Sequence, residues 1–348
     1  MAVLSPLLDG LEAVDRQLFP ADRSLHYVNW ARTALETIID LEDFRGSTIL
    51  LPAFICQDSF APLFARHEIT PRFVDVDPRT FHLDIETTMA ELESVDAVLY
   101  VHAFGLPASL EDLASACARA DVVLIEDCAR AAGATVDGRL VGSFGDHAVY
   151  SLAKVAPIPK GGALITTADA DRVQLEGPSY DAHSLYAVSP AVVTDALSPT
   201  YPHEIERRTL DSLTTWAFRR YVHQQFDTDR RAAGRHTECL RDALEPEGFV
   251  FQPNRVGRLH PTAPVLTPRA CDRDELAHYL STKNVPSRVV WGHPWGKTAA
   301  GRSFDASFPH AARLSERLLH LDVQAMDDAE VEETIDVILD FIETFGSA

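Results

Sequence analysis

The chain has 348 residues, of which 46% are apolar, and it carries a formal net charge of −21 with an isoelectric point near 5.0. This composition excludes a disordered chain, because enough apolar side chains are present for a large core, and it argues against nucleic acid and anionic membranes as partners. Only four of the 31 basic residues are lysines. We interpret the acidic, lysine-poor composition as typical of salt-loving prokaryotes, with an ordinary acidic protein as the alternative.

The cysteines and the N-terminal segment indicate the cellular compartment. The five cysteines are scattered and show no CxxC spacing, so we expect reduced thiols and neither a disulfide framework nor a metal site. The N-terminal segment has acidic residues where a signal peptide needs basic ones, and no apolar run approaches about 18 residues. We therefore expect a cytoplasmic protein without a membrane span.

Short apolar runs alternate with helical patterns between residues 27 and 167, which predicts βα units and a mostly parallel sheet flanked by helices. Residues 169–229 contain several prolines and give no clear pattern. We predict a large α/β domain over residues 1–229. Its strands are predicted over 49–51, 72–74, 97–101, 122–125, 148–152 and 163–167, and its helices over 31–41, 58–65 and 110–120.

A smaller C-terminal α/β domain is predicted over residues 230–348, beginning with a helix over 230–244. Short β-branched runs alternate there with amphipathic helical patterns. Its further strands are predicted over 264–266 and 287–290, and its further helices over 273–283, 311–320 and 328–345.

Two strands of the predicted large sheet end at residues that suit a cofactor. Asp127 closes one strand and Lys154 lies just past the end of another, and such sheets bind ligands at the carboxyl ends of their strands. Pyridoxal phosphate needs an amine for a Schiff base and an acid that keeps its ring nitrogen protonated. The sequence therefore predicts this cofactor. Lys160 is the rival amine, and Asp127 could instead cap a helix.

Sequence motifs along almost the whole chain resemble one family. They are ARTAL at 31–35, LPAF at 51–54, FVDVDPRTFHLD at 73–84, VHAFGLPASLEDL at 101–113, IEDCARAAGATVDGRLVGSFGD at 125–146, SLAK at 151–154, GGALITT at 161–167 and RLSERLLHLDVQAMDDAEVEETIDVI at 313–338. The sequence resembles the DegT/DnrJ/EryC1/StrS sugar aminotransferases, which belong to the aspartate aminotransferase superfamily. The resemblance implies PLP fold type I.

The resemblance also implies roles for single residues. Lys154 matches the Schiff-base lysine of the family, and Asp127 matches the acid that pairs with the pyridinium nitrogen. Thr33, together with the amides at Arg32 and its neighbours, matches the phosphate-binding turn at the start of a helix. Ser151 is placed to bind the same phosphate with its hydroxyl.

Several positions depart from the family pattern. Cys56 stands where an aromatic ring usually stacks on the cofactor, so that stacking would be weaker or would come from Phe54 or Phe104. Arg130 stands where glutamine or histidine is usual, and it would either stabilise the phenolic oxygen of the cofactor or bind a carboxylate or phosphate of the substrate. His102 ends a strand at the same sheet edge and is either a satisfied buried histidine or a substrate contact.

The resemblance implies a homodimeric aminotransferase that converts a keto group of a nucleotide-linked sugar to an amine, with an amino acid donor, in surface glycan or polysaccharide biosynthesis. The Asn-x-Arg signature of the family is not recognisable in residues 177–215. Two alternatives therefore stay open: a PLP enzyme with a non-sugar substrate, and a non-catalytic relative that binds or regulates. A dinucleotide-binding dehydrogenase is excluded because no GxGxxG motif follows a predicted strand.

Overall fold

The computed structural model describes residues 12–188, 206–291 and 307–345, and strands from these ranges form two main sheets and one small hairpin. The strands are β1 (Ser24–Val28), β2 (Thr48–Pro52), β3 (Thr70–Val74), β4 (Ala97–Val101), β5 (Val123–Asp127), β6 (Thr135–Val136), β7 (Arg139–Leu140), β8 (His147–Ser151), β9 (Gly162–Thr166), β10 (Val250–Phe251), β11 (Ala263–Leu266), β12 (Ser287–Arg288) and β13 (Leu318–Leu321).

Helices cover both faces of the larger sheet and one side of the smaller one. They are α1 (Asp15–Leu18), α2 (Ala31–Leu41), α3 (Gln57–Arg66), α4 (Ile85–Glu91), α5 (Glu111–Ala120), α6 (Ala182–Val188), α7 (Ser212–Tyr221), α8 (Asp227–Leu244), α9 (Arg273–Thr282), α10 (Pro309–Arg317) and α11 (Asp328–Phe345). Successive residues of β4 show the layering, because Val98 packs in the cluster that includes α5 and Leu99 in the cluster that includes α2 and α3.

The larger sheet has the strand order β1-β9-β8-β5-β4-β2-β3. Within it β9 runs antiparallel to both of its neighbours, and the other pairs are parallel. The predicted mostly parallel sheet is therefore confirmed. The carboxyl ends of β4, β5 and β8 meet at one edge, as the parallel pairing of Asp127 with Val149 shows.

The smaller sheet has the order β10-β11-β13-β12, and it corrects one prediction. A single helix was predicted over 311–320, but α10 ends at Arg317 and residues Leu318–Leu321 form β13, which pairs with β11 and β12. Ala311, Leu314 and Leu318 follow a helical spacing and are all buried. The helical spacing of apolar residues therefore continues past the end of α10 into β13, whose residues are all buried. The pairing of β13 with β11 and β12 shows that these residues form a strand.

Most other predicted elements have the expected type, and three have the predicted bounds, namely the helices over 31–41 and 328–345 and the strand over 97–101. The segment without a clear pattern contains α6 and α7. A π-helical turn, Val222–Phe226, joins α7 to α8, so residue 229 lies inside a helical segment. The division into two domains at this residue stays a proposal. No helix of the described ranges has both the length and the apolar composition that a bilayer crossing needs.

Candidate active site

A cavity lies at the carboxyl edge of the larger sheet and encloses about 680 Å³ of non-protein space, part of it open to solvent. Asp127 from the end of β5 and Lys154 from the turn after β8 both line it. Arg130 and Cys56 line the same cavity. The structure thus brings together the acid and the amine that the sequence predicts at one sheet edge.

Asp127 is held by a turn and not by a helix. Its Oδ1 accepts a hydrogen bond of 2.8 Å from the amide of Ala129, and the residues after β5 form turns. The role as a helix cap is therefore wrong. Burial raises the pKa of Asp127 above its ordinary value, although Lys154 acts in the opposite sense. The carboxylate consequently has an energetic reason to bind a cation or a protonated ring nitrogen in this cavity.

Lys154 lies in surroundings that favour its neutral form. Burial and the charge of Arg130 lower the pKa of Lys154, although Asp127 opposes this effect. A neutral amine is the form that attacks a carbonyl carbon, so the lowered pKa suits a lysine that bonds covalently to a cofactor aldehyde.

Lys160, the alternative reacting amine, forms ion pairs with two aspartates. Lys160 is 3% exposed, and its Nζ lies 3.0 Å from Oδ1 of Asp181 and 3.1 Å from Oδ2 of Asp211. It also donates to Oγ of Ser184 at 3.1 Å. These contacts tie α6 and the N-terminus of α7 to the segment before β9. The structure therefore favours Lys154 over Lys160 as the reacting amine.

A second cavity adjoins the first and has the features of a phosphate site. Arg32 and Lys154 line both cavities, and Ser151 lines the second one. The first turn of α2 faces this space, and the first N–H groups of a helix lack intrahelical acceptors and favour an anion. Thr33 differs from the prediction, because its buried hydroxyl donates to Oδ1 of Asn29 at 2.6 Å and its side chain is in the lining of neither cavity.

The diglycine after Lys160 allows α2 to approach the sheet. A Cβ on Gly162 would lie 2.6 Å from the backbone nitrogen of Ala31, closer than real side chains come. The first turn of α2 and strand β9 therefore touch through backbone atoms, and residue 162 must be glycine for this contact.

We expect Gly162→Ala to raise the dissociation constant of pyridoxal phosphate on the order of tenfold, because the added methyl group displaces the first turn of α2. An absorbance titration with the cofactor measures this constant. Gly177→Ala is the matched control, since a Cβ there meets nothing within 4 Å. Equal cofactor affinity in the two variants would show that the close approach at Gly162 does not shape the phosphate site.

Three aromatic residues line the cavity, namely Phe60, Phe104 and Trp291. The ring centroids of Phe104 and Trp291 are 4.8 Å apart with an interplanar angle of 33°. Both residues have a left-handed backbone, with φ of 55° and 57°, which is unusual for aromatic residues. Phe54 is buried beside Trp291, at 5.2 Å between ring centroids, and is not in the cavity lining. Of the two predicted ring donors, Phe104 is thus the one that faces the cavity.

Sequence reasoning missed Trp291, which follows β12 of the smaller sheet. No motif marks it, and only the packing of the two sheets brings it to Phe104. Cys56 lines the cavity at the N-terminus of α3, with its Sγ 3.3 Å from Oγ of Ser59. Phe104 and Trp291 are therefore candidates for the ring contact that Cys56 does not supply.

His102 is buried, lines the cavity and is bonded through Nε2 to Oε2 of Glu126 at 2.9 Å. Glu126 also accepts the amides of Gly142, Phe144 and Gly145 at 2.7–2.8 Å, so each of its oxygens has two donors. Although burial raises the pKa of Glu126, its bonds to His102 and to the amides lower it below the ordinary value. Glu126 thus holds His102 beside Asp127.

The side chains of His102, Glu126 and Cys128 offer ligand atoms that all lie within 4.8 Å of one another. A metal ion at this point would have to displace the N–H donors that already fill both carboxylate oxygens of Glu126. The donor set therefore suits a hydrogen-bonded carboxylate better than a cation, and we assign no metal to it.

Residues 29–182 match the model of the DegT/DnrJ/EryC1/StrS aminotransferase family. This range contains Asp127 and Lys154. Over residues 29–182 the chain therefore resembles this family. The resemblance that the motifs indicate is thereby confirmed.

Two relatives show how the similarity is distributed. A protein named pleiotropic regulatory protein, from Geobacillus stearothermophilus, is 28% identical over 300 residues, which cover 81% of this chain and 75% of that protein. The UDP-N-acetyl-3-dehydro-alpha-D-glucosamine 3-aminotransferase of Acidithiobacillus ferrooxidans is 34% identical over 135 residues, which cover 38% of this chain and 36% of that enzyme.

The fold extends over the whole described chain. A DegT/DnrJ/EryC1/StrS aminotransferase from Brucella abortus superposes with a TM-score of 0.72 at 20% identity, covering 98% of this chain and 97% of the other. The predicted PLP fold type I is confirmed.

Pyridoxal phosphate is the cofactor of the DegT/DnrJ/EryC1/StrS aminotransferases, and the residues of this chain fit it. An acid with a raised pKa, an amine with a lowered pKa and a helix N-terminus beside a hydroxyl line two adjoining cavities. A buried polar atom also faces this region, because Nδ1 of His102 has no hydrogen-bond partner within the described part of the chain.

Proposed function

We propose that this aminotransferase converts a keto group of a nucleotide-linked sugar to an amine, with an amino acid such as glutamate as donor. The observation that carries the catalytic part is the joint presence of Asp127 and Lys154 in one cavity beside the first turn of α2. The sugar as acceptor is supported by the name of the Acidithiobacillus ferrooxidans relative. A role in surface glycan assembly is part of the same proposal.

Different residues of the two cavities would bind different parts of the cofactor. Arg32, Ser151 and the first turn of α2 would bind the phosphate, Asp127 would pair with the ring nitrogen, and Lys154 would bond to the aldehyde carbon. When bound, pyridoxal phosphate supplies an electron sink for removal of a proton next to an amino group.

Lys154 also has the second task of moving a proton. Its Nζ would lie close to the donor carbon that bears the amine, and as a neutral base it would take up the proton of that carbon and return it elsewhere. Its lowered pKa favours the neutral form that this exchange needs. Over a full cycle, the amino acid becomes a 2-oxo acid and the keto sugar becomes an amino sugar.

The test has two half-reactions. The protein loaded with pyridoxal phosphate is mixed with glutamate, and absorbance spectra follow conversion of the cofactor to its amine form. A UDP-linked 3-keto sugar is then added, and mass spectrometry follows the amino sugar. Conversion in both steps supports the proposal. Conversion of a simple ketone but of no keto sugar would contradict the sugar acceptor and leave a non-sugar aminotransferase.

A second candidate function is regulation without catalysis, which the name of the Geobacillus stearothermophilus relative favours. The same experiment separates the two. A regulatory protein would bind the cofactor, or fail to bind it, without any conversion by amino acids. Retention of both Asp127 and Lys154 in the cavity supports the enzyme, because a buried acid and amine without a cofactor are costly to keep.

We further propose a cytoplasmic homodimer that works at high ionic strength. Tyr180 and Leu185 support a second copy as partner, because they are 52% and 58% exposed in and beside α6, next to the side of the site where Trp30 and His183 meet. The net charge of −21 supports the salt dependence, since salt screens self-repulsion. Light scattering at low and at molar salt would contradict this proposal if the protein is a monomer in both.

A further inference from the structure

Three cationic side chains among the described residues line the main cavity, namely Arg32, Arg130 and Lys154, and Asp127 is the one carboxylate in that lining. Two of these cations already have a proposed task. Arg32 also lines the adjoining phosphate cavity, and Lys154 is the reacting amine. Arg130 lines the main cavity and is not part of the lining of the second. Arg130 therefore belongs to the part of the site that holds Asp127 and Lys154, away from the second cavity.

The position of Arg130 in the chain supports this placement. It follows Asp127 by three residues in the turn after β5, so the same backbone segment carries the acid and the guanidinium. The charge of Arg130 lowers the pKa of Lys154 and that of Asp127. Arg130, Asp127 and Lys154 also line one cavity, so a substrate bound there shares an enclosed space with all three.

The apolar side chains around Arg130 favour the binding of an anionic group by its guanidinium. Phe104, Trp291 and Leu99 make other parts of the wall apolar, and an anion in such a site needs a partner that offers several N–H donors. A guanidinium donates two parallel hydrogen bonds to a carboxylate, and the geometry of its planar fork matches the two oxygens.

We propose that Arg130 binds a carboxylate group of the substrate and so selects substrates that carry one. This inference rests on the proposed aminotransferase function. The carboxylate has two sources, the amino acid donor and an acidic keto acceptor. In either case Arg130 is a specificity-determining residue.

The test compares two amines that differ by the carboxylate. 2-Methylalanine has no hydrogen on its α-carbon and so stops after binding to the cofactor. Tert-butylamine has a third methyl group in place of the carboxylate and likewise has no hydrogen on that carbon. Absorbance titrations of the loaded protein give both dissociation constants. We expect Arg130→Gln to weaken the binding of 2-methylalanine on the order of tenfold to a hundredfold and that of tert-butylamine less than about twofold.

Two further variants complete the test. Arg130→Lys keeps the charge and loses the fork, so it restores part of the affinity for 2-methylalanine. Arg119→Gln removes an exposed arginine from α5 and leaves both constants unchanged. Retention of the visible cofactor band in each variant shows that the protein is folded and loaded.

The possible outcomes separate the sources of the carboxylate. If Arg130→Gln weakens the binding of 2-methylalanine, Arg130 binds the carboxylate of the amino acid donor. Unchanged 2-methylalanine binding, with a raised KM for a keto sugar acid but not for its neutral counterpart, assigns it to the acceptor. If no carboxylate-dependent constant changes and only the pH dependence of the cofactor band shifts, Arg130 acts on the cofactor and the inference is overturned. If the wild-type protein forms no cofactor band, the proposed function fails, and this inference fails with it.

Discussion

Replacing Lys154 with alanine is expected to abolish the visible band of the lysine-bound cofactor and to lower transamination by several orders of magnitude. The reason is that Lys154 would supply both the covalent bond to the cofactor and the base that moves the donor proton. Absorbance spectra with added pyridoxal phosphate and a coupled assay for 2-oxo acid measure the two effects.

Two lysine variants serve as controls. Lys160→Met removes the cation between Asp181 and Asp211, so we expect it to lower the free energy of unfolding by about 3 kcal/mol and to keep the band. Lys283→Ala changes an exposed lysine and keeps both band and activity. A Lys154→Ala protein that still forms the band through Lys160 would contradict the assignment.

Replacing Asp127 with asparagine is expected to preserve the fold and to lower turnover by two or more orders of magnitude. An amide of similar size can keep the hydrogen bond from Ala129, but it cannot hold a proton on the ring nitrogen, and the electron sink is weaker without that proton. Steady-state kinetics with glutamate measure the loss, and thermal unfolding checks the fold.

Asp336→Asn is the matched control, because Asp336 is an exposed acid on α11, outside the lining of both cavities. We expect wild-type turnover in this variant. Turnover of Asp127→Asn at the wild-type level would remove Asp127 from the mechanism and would leave its raised pKa without a catalytic explanation.

The sequence predicts the pairing of Asp127 with Lys154 because parallel strands share one carboxyl edge. Short buried runs locate the ends of β5 and β8, and topology then brings both side chains to one cavity. Features of the site that depend on where a single strand ends can therefore be predicted from the sequence.

Features that depend on contacts between residues far apart in the sequence cannot be predicted in this way. Trp291 reaches Phe104 only through the packing of the two sheets, and β13 is a strand because β11 and β12 pair with it. Thr33 lies within a matching motif, yet its hydroxyl is bonded to Asn29. The motif locates the turn but not the direction of each side chain.

The measurement that tests the central claim most directly is borohydride reduction of the protein loaded with pyridoxal phosphate, followed by peptide mapping. The account predicts that reduction fixes the cofactor on the peptide that contains Lys154, and that prior incubation with glutamate prevents this labelling. Labelling of Lys160 instead, or no labelling of any lysine in a protein that binds the cofactor, would contradict it.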